Sequence, residues 1–195
     1  MYSLFEPAQM GPLQIKNRTV RSGTNEHLSD RNGNLTDAWA DAVIELARGG
    51  VGLIVTGYMT VDRRQRSDEG HPVIDEQSDR SVLERVAAEV HRQNAKIVLQ
   101  ISHSGPKAME AVNGCPPKGP EDFSEEELSE LTRRFVRAAS IAKQAGFDGV
   151  QIHASHGYLL SSFINQKANR RTDAYGGTLE NRFRLIREII AAIRR

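Results

Sequence analysis

Residues 147–182 read FDGVQIHASHGYLLSSFINQKANRRTDAYGGTLENR, and this stretch decides the fold. It opens with an apolar run at 150–152 that has the length and β-branched content of a buried strand. His153 and His156 follow at once, then Gly157, Tyr158, an apolar patch at 159–164 and a polar loop ending in Gly176-Gly177 before a new helix. Polar, titratable groups gathered at the carboxyl end of a buried strand are what an active site looks like in an α/β sequence.

Upstream, the same grammar repeats. Ser124 opens a helix with a capping box to Glu127, and Leu128, Leu131, Phe135 and Ala142 continue its apolar stripe to Gly146. Before it, residues 95–102 (AKIVLQIS) read as a buried strand, preceded by a helix that starts at Asp79 or Ser81 and carries Leu83, Val86 and Val90 on one face. Residues 51–55 are another continuous apolar run, a buried parallel strand, behind a helix that Thr36 or Asp37 caps and Gly49-Gly50 ends. Residues 14–20 alternate like a strand after a turn at Met10-Gly11-Pro12. Residues 62–78 read as a solvated loop, 106–122 as a Pro/Gly-rich loop, and 178–195 as one helix. Strand then helix, four times over, predicts a parallel sheet with right-handed crossovers.

At 195 residues the chain suffices for one domain with a core. It is short of the ~250 residues of a complete (β/α)8 barrel. With 26 basic and 25 acidic residues and a net charge of +1, there is no electrostatic case for nucleic acid or an anionic membrane. One cysteine, Cys115, excludes an internal disulfide framework and fits a reducing compartment. The first residues lack a signal-peptide pattern and no run reaches transmembrane length, so the expectation is a single domain over 1–195 in the cytoplasm.

The runs HASHGYLL and NRRTDAYGGTLENR, with KNRTVRSGT at 16–24 and QISHSG at 100–105, resemble the "old yellow enzyme" family of NAD(P)H:flavin oxidoreductases and ene-reductases. The resemblance implies a TIM (β/α)8 barrel fold, here its first four βα units preceded by an N-terminal hairpin. It implies FMN as cofactor, NADH or NADPH as reductant, and a small-molecule substrate with an activated, enone-type C=C bond. The backbone at Ser22, Gly23, Thr24 and Gly57 would lie against the flavin, and Gln100 would bond its pyrimidine edge. His153 and His156 would bind the substrate oxygen, and Tyr158 would donate the proton. The chain departs from the family pattern at Pro106, where relatives usually have Arg, and at Asn25, where they often have Thr or Cys.

The chemistry fits those residue types. Two imidazole N–H groups on one oxygen can stabilise the charge that builds there, and a tyrosine with its ordinary pKa near ~10 is protonated at neutral pH, as an acid must be. Other readings stay open. Gly57 can end a strand, Gln100 can pair with neighbouring backbone, Tyr158 can be a wall residue, and two histidines can be core residues. A metal at His153 and His156 lacks a third ligand at plausible spacing. His103 reads as structural, and Arg170, Arg171, Asp173 and Tyr175 as architecture. By resemblance, the FMN-contacting Arg on a fifth strand lies outside these four units, and TIM-barrel phosphate sites are frequently built by the loops after strands seven and eight. Either a C-terminal half is missing or the chain is a non-catalytic, self-associating half-barrel module; a metal-dependent hydrolase is disfavoured by the absence of acidic ligands. Alone, with the apolar Val20, Val55, Val98 and Ile152 in strands of a half-barrel whose edges stay open, the chain is expected to keep some apolar surface exposed, to bind FMN weakly and to self-associate.

Overall fold

The structure is a computed structural model that describes residues 3–195. A hairpin of β1 (Ala8–Met10) and β2 (Leu13–Ile15) comes first, turning at Gly11 with φ +55°. The single strand expected at 14–20 is divided, because β3 (Val20–Arg21) belongs to a different sheet from β2. Asn17 makes the break: its amide donates to Gly50 O at 2.8 Å and its carbonyl accepts from Thr19 N at 3.1 Å, which turns the chain.

The main sheet has four parallel strands in the order β3, β4 (Leu53–Thr60), β5 (Lys96–Ser102) and β6 (Gly149–Ile152). This is a partial βα barrel. Between its strands run α1 (Asp37–Arg48), α2 (Arg80–Arg92) and α4 (Glu125–Gln144), capped by Thr36, Asp79 and Ser124 as their sequences dictate. The loop at 106–122 holds a short helix, α3 (Glu110–Asn113), between 3-10 turns at Gly105–Lys107 and Pro120–Asp122. The apolar patch after β6 is a short helix, α5 (Leu159–Ile164).

Strand alternation divides the sheet into two faces. Ile97, Leu99 and Ile101 of β5 are buried with Trp39, Val86 and Phe135 of the helices. Each such side chain contributes about 1.5–3 kcal/mol on burial, which fixes the register. On the other face Val20, Leu53, Val55 and Val98 line an open apolar trough of about 610 Å³, which reaches the edge strand β6, where Ile152 pairs with Ile101 and packs toward the core. Val20 is 51% exposed there.

Three further expectations are corrected. β4 does not stop at Val55 but runs through Gly57 to Thr60, with its register shifted between Val55 and Tyr58. Residues 62–78 are not a solvated loop. They fold back on β4, with Thr60 N donating to Pro72 O, Ile74 N to Thr60 O, and Arg63 paired twice with Asp75 at 3.0 Å, so His71, Val73 and Ile74 are buried. Finally, the last helix is two: α6 (Leu179–Arg182) and α7 (Arg184–Ile193), broken at Phe183. The bend lets Arg182 donate to Ile164 O at the end of α5 while Leu185 and Ile189 stay in the core.

Candidate active site

β6 delivers His153. Its N–H continues the sheet by donating to Ile101 O at 2.9 Å, and the residue is 5% exposed. Nδ1 accepts the N–H of Ser155 at 3.2 Å, so the ring proton sits on Nε2. Burial, and then the neighbouring His156, push its pKa down to about 4, which leaves the imidazole neutral at physiological pH.

The chain then turns through His156 (φ +57°) and Gly157 (φ +78°), and Tyr158 becomes the N-cap of α5. A non-glycine residue in the left-handed region costs free energy and persists where its surroundings demand it. Here it turns the exposed His156 ring perpendicular to His153, centroids 5.3 Å apart and planes at 82°. Ser155 Oγ stands beside both Nδ1 atoms, at 3.1 and 3.4 Å. Among the described residues neither Nε2 meets a partner in the chain. Tyr158 packs 4.8 Å from His153, and burial holds its hydroxyl pKa well above the ordinary phenol value.

Two residues of this cluster were not singled out from the sequence. Tyr58, on β4, lies 5.3 Å from Tyr158, 5.7 Å from His153 and 4.6 Å from the buried His71. The signal for Tyr58 was its register: Tyr58 pairs with Gln100, and Gln100 with Gln151, in one row across three strands. Gln151, a polar residue inside a four-residue strand, was the other missed signal. Gln100 Nε2 donates to its Oε1 at 2.5 Å, so the Gln100 side chain pairs with a side chain and not with backbone.

Ser22, Gly23 and Thr24 form a shelf beside that row, with Ser22 and Thr24 exposed. A Cβ on Gly23 would fall 2.4 Å from Gln100 Nε2, and one on Gly57 would fall 2.6 Å from Glu26 Oε2 and 2.7 Å from Thr24 O. Both glycines therefore admit close approach of protein: the Gln100 amide over Gly23, the Glu26 carboxyl over Gly57. Burial raises the pKa of that carboxyl. The shelf, the amide row and the trough beneath them offer a polar edge over an apolar floor, which suits a flat aromatic ring with one hydrogen-bonding side.

His103 lies apart from this cluster. It is buried, its Nδ1 accepts Gly105 N–H at 3.0 Å, and its Nε2 is 4.0 Å from Asp62. Arg171 and Asp173 pair, Arg171 also donates to Pro120 O and Phe123 O, and Tyr175 donates to Glu188 at 3.0 Å. These are architectural contacts. Among the described residues no group of three His, Cys, Asp or Glu side chains is placed to hold a metal ion, and no helix is long and apolar enough to cross a membrane.

An imidazole pair with free Nε2 atoms, its His153 ring neutral, thus stands beside a protonated tyrosine at the strand ends of a partial βα barrel, and the sequence that builds it matches a known family along almost the whole chain. The sequence model of the NADH:flavin oxidoreductase / NADH oxidase family covers residues 3–195. The chain belongs to that family. It is 39% identical over 207 residues to a metal reductase of Desulforamulus reducens, and 35% identical to a cinnamate reductase of Clostridium sporogenes. The matches cover 100% and 98% of this chain but 30% and 32% of those proteins. The old yellow enzyme homologue of Zymomonas mobilis superposes with a TM-score of 0.92 at 27% identity, over 98% of this chain and 59% of that one. The chain thus spans about a third of the two curated relatives.

Proposed function

We propose that this chain is the N-terminal part of an FMN-dependent oxidoreductase that passes hydride from NADH or NADPH to an activated C=C bond of an enone-type small molecule. The observation that carries the reading is the perpendicular His153–His156 pair with unpartnered Nε2 atoms, 4.8 Å from a protonated Tyr158 on the His153 side. FMN, when bound, supplies the hydride. Ser22, Gly23, Thr24 and Gly57 would meet its ring through backbone, Gln100 would bond its polar edge, and the trough would take its apolar underside.

The chain's own residues do the rest. Ser155 fixes the His153 tautomer by donating to Nδ1, which leaves Nε2–H for the substrate oxygen. His156 adds a second ring at right angles. Donors preorganised where negative charge develops lower the barrier because they need no reorganisation during the reaction. Tyr158 holds its proton by burial and gives it to the substrate carbon.

Residues 1–195 are read as one domain whose trough is covered by the remainder of a barrel, since the chain spans 59% of the Zymomonas structure. A second copy on the same face is the competing cover. Sedimentation of the 195-residue chain with FMN titration tests this: weak FMN binding with self-association is expected, whereas a stable monomer holding stoichiometric FMN overturns it. A cytoplasmic location suits the one free thiol.

The functional test, like every FMN-loaded assay below, uses the full-length protein that includes the remainder of the barrel, loaded with FMN. His153→Ala and His156→Ala should weaken binding of phenolic and enone ligands and slow enone reduction. Tyr158→Phe should slow reduction more than it weakens binding, because it removes only the proton. Equal losses from Tyr158→Phe in both would refute its assigned role.

A further inference from the structure

Every turnover that takes a proton from Tyr158 must return one to it, and Tyr158 is half-buried. From its hydroxyl a chain of polar contacts leads outward. Tyr158 Oη donates to Ser67 Oγ at 3.4 Å, Ser67 Oγ donates to Asp68 Oδ2 at 3.1 Å, and Asp68 Oδ1 lies 3.2 Å from His27 Nδ1. The His27 side chain is 62% exposed. We propose that Ser67, Asp68 and His27 form a proton relay that recharges Tyr158 from solvent; the proposal rests on Tyr158 being the proton donor.

The chain of contacts joins three segments distant in sequence, and each is held in place. Ser67 N–H donates to His71 Nδ1 at 3.0 Å. His71 is buried, and burial above all pushes its pKa down to about 3, so it stays neutral and fixes Ser67 without carrying the proton. His27 adopts φ +53°, and its N–H donates to Asn25 Oδ1 at 3.0 Å. Gly70 lets the 67–71 segment lie against it: a Cβ there would be 3.0 Å from His27 Cα. A non-glycine residue in the left-handed region, braced from both sides, marks a built arrangement. Two groups face His27 Nδ1, Asp68 Oδ1 at 3.2 Å and the Asn25 amide nitrogen at 3.4 Å; a carboxylate only accepts, and the closer Asp68 contact assigns the proton to Nδ1 in this relay. Arg66, Glu69, Tyr58 and His71 are the other titratable groups around these residues.

The proton balance is simple. Tyr158 loses the Oη–H proton to the substrate carbon and is left as tyrosinate. Ser67 passes its hydroxyl proton to Oη and receives one from Asp68. Asp68 takes that proton at Oδ1 from His27 Nδ1 and turns about Cβ–Cγ to present it to Ser67. His27 takes the replacement from water at Nε2, since imidazole is the side chain suited to exchange protons near neutral pH, and its exposed ring resets the tautomer through solvent. The net change is one proton from water to Tyr158, with no electron moved.

Such a relay has a kinetic signature that a packing role lacks. Tyr158 starts each reaction already protonated, so a single turnover of the prereduced, FMN-loaded protein with an enone should run at the wild-type rate in His27→Ala. Steady-state turnover should fall by about tenfold, less than the ~10²–10⁴ a general acid itself supplies. Added imidazole should restore it. A readout without flavin is ¹⁵N NMR of His27 in mildly alkaline buffer: the Nδ1–H tautomer is expected in the wild type and should be lost in Asp68→Asn. Wild-type steady-state turnover in His27→Ala, a deficit that imidazole leaves untouched, an equally slowed single turnover, or an Nε2–H tautomer in the wild type would each overturn the relay. A protein that reduces no enone yet keeps the Nδ1–H tautomer overturns the functional reading, and the relay's role with it, while upholding the contacts.

Discussion

The ends of β5 and β6 carry the same device with opposite outcomes. His103 follows Ser102 and His153 follows Ile152, each one residue beyond its strand, and each Nδ1 accepts the N–H of the residue two further on. Burial leads the causes that depress both pKa values to about 4. Up to that point the two are equivalent. Around the rest of the ring they part: His103 Nε2 faces Asp62, which also pairs with Arg134, and its ring meets Phe123 at a steep angle, whereas the His153 ring packs against Tyr58, His156 and Tyr158. A local motif sets tautomer and charge state. What surrounds the ring, brought from other strands, decides whether it is a buried strut, as His103 is, or keeps a free nitrogen for the substrate oxygen, the role proposed for His153.

The largest effect that would sharpen this contrast is at Tyr158. Stopped-flow enone reduction by Tyr158→Phe should fall by ~10²–10⁴, the usual worth of a general acid, with ligand binding nearly unchanged. At the β5 end, His103→Ala should instead cost stability, about 1–3 kcal/mol in a urea titration, because Gly105 N–H loses its buried acceptor. A loss of enone reduction per folded molecule in that variant would break the contrast. Between the two ends, Gln100→Ala removes one hydrogen-bonding side chain from the shelf and should weaken FMN binding about tenfold, as one bond of about 0.5–1.5 kcal/mol allows. Flavin fluorescence would read it. Unchanged affinity would remove Gln100 from the cofactor site.

The smallest effect is in the pH dependence of stability. Histidines titrate near ~6.5 when unfolded, but His103 and His153 stay neutral in the fold down to about 4, and His71 to about 3. Between those values the unfolded chain binds more protons, so stability is fully present above pH ~6.5 and is lost as pH falls toward 4. Urea midpoints across that range should decline on acidification, and His103→Gln should flatten the decline. A flat profile in the wild type would mean that these rings are not buried neutral.

Much of the fold was legible because apolar periodicity and caps agree: Thr36, Asp79 and Ser124 start helices where expected, and the strands around Leu53, Ile97 and Val150 stand in sequence order in one parallel sheet. The break at Phe183 was not, since the apolar period continues through it and only the docking of Arg182 on α5 forces the bend. The buried 71–74 segment hid behind its charged neighbours, whose Arg63–Asp75 pairing is visible only in three dimensions. At the site, His153, His156 and Tyr158 share one turn and could be read together. Tyr58, Ser67, His71 and Gln151 reach the cluster through strand register and a folded-back segment, which no local pattern encodes.

The most direct measurement sets the two strand ends side by side. The FMN-loaded wild type, His153→Ala and His103→Ala are reduced anaerobically with NADPH, mixed with an enone, and followed by return of the visible flavin band. Loss of an oxyanion-type donor costs ~10²–10³ in rate, so His153→Ala should reoxidise slower by that factor. His103→Ala, corrected for its folded fraction, should match the wild type. Equal slowing in both variants, or slowing only in His103→Ala, would contradict the assignment of the β6 end as the place where substrate reacts.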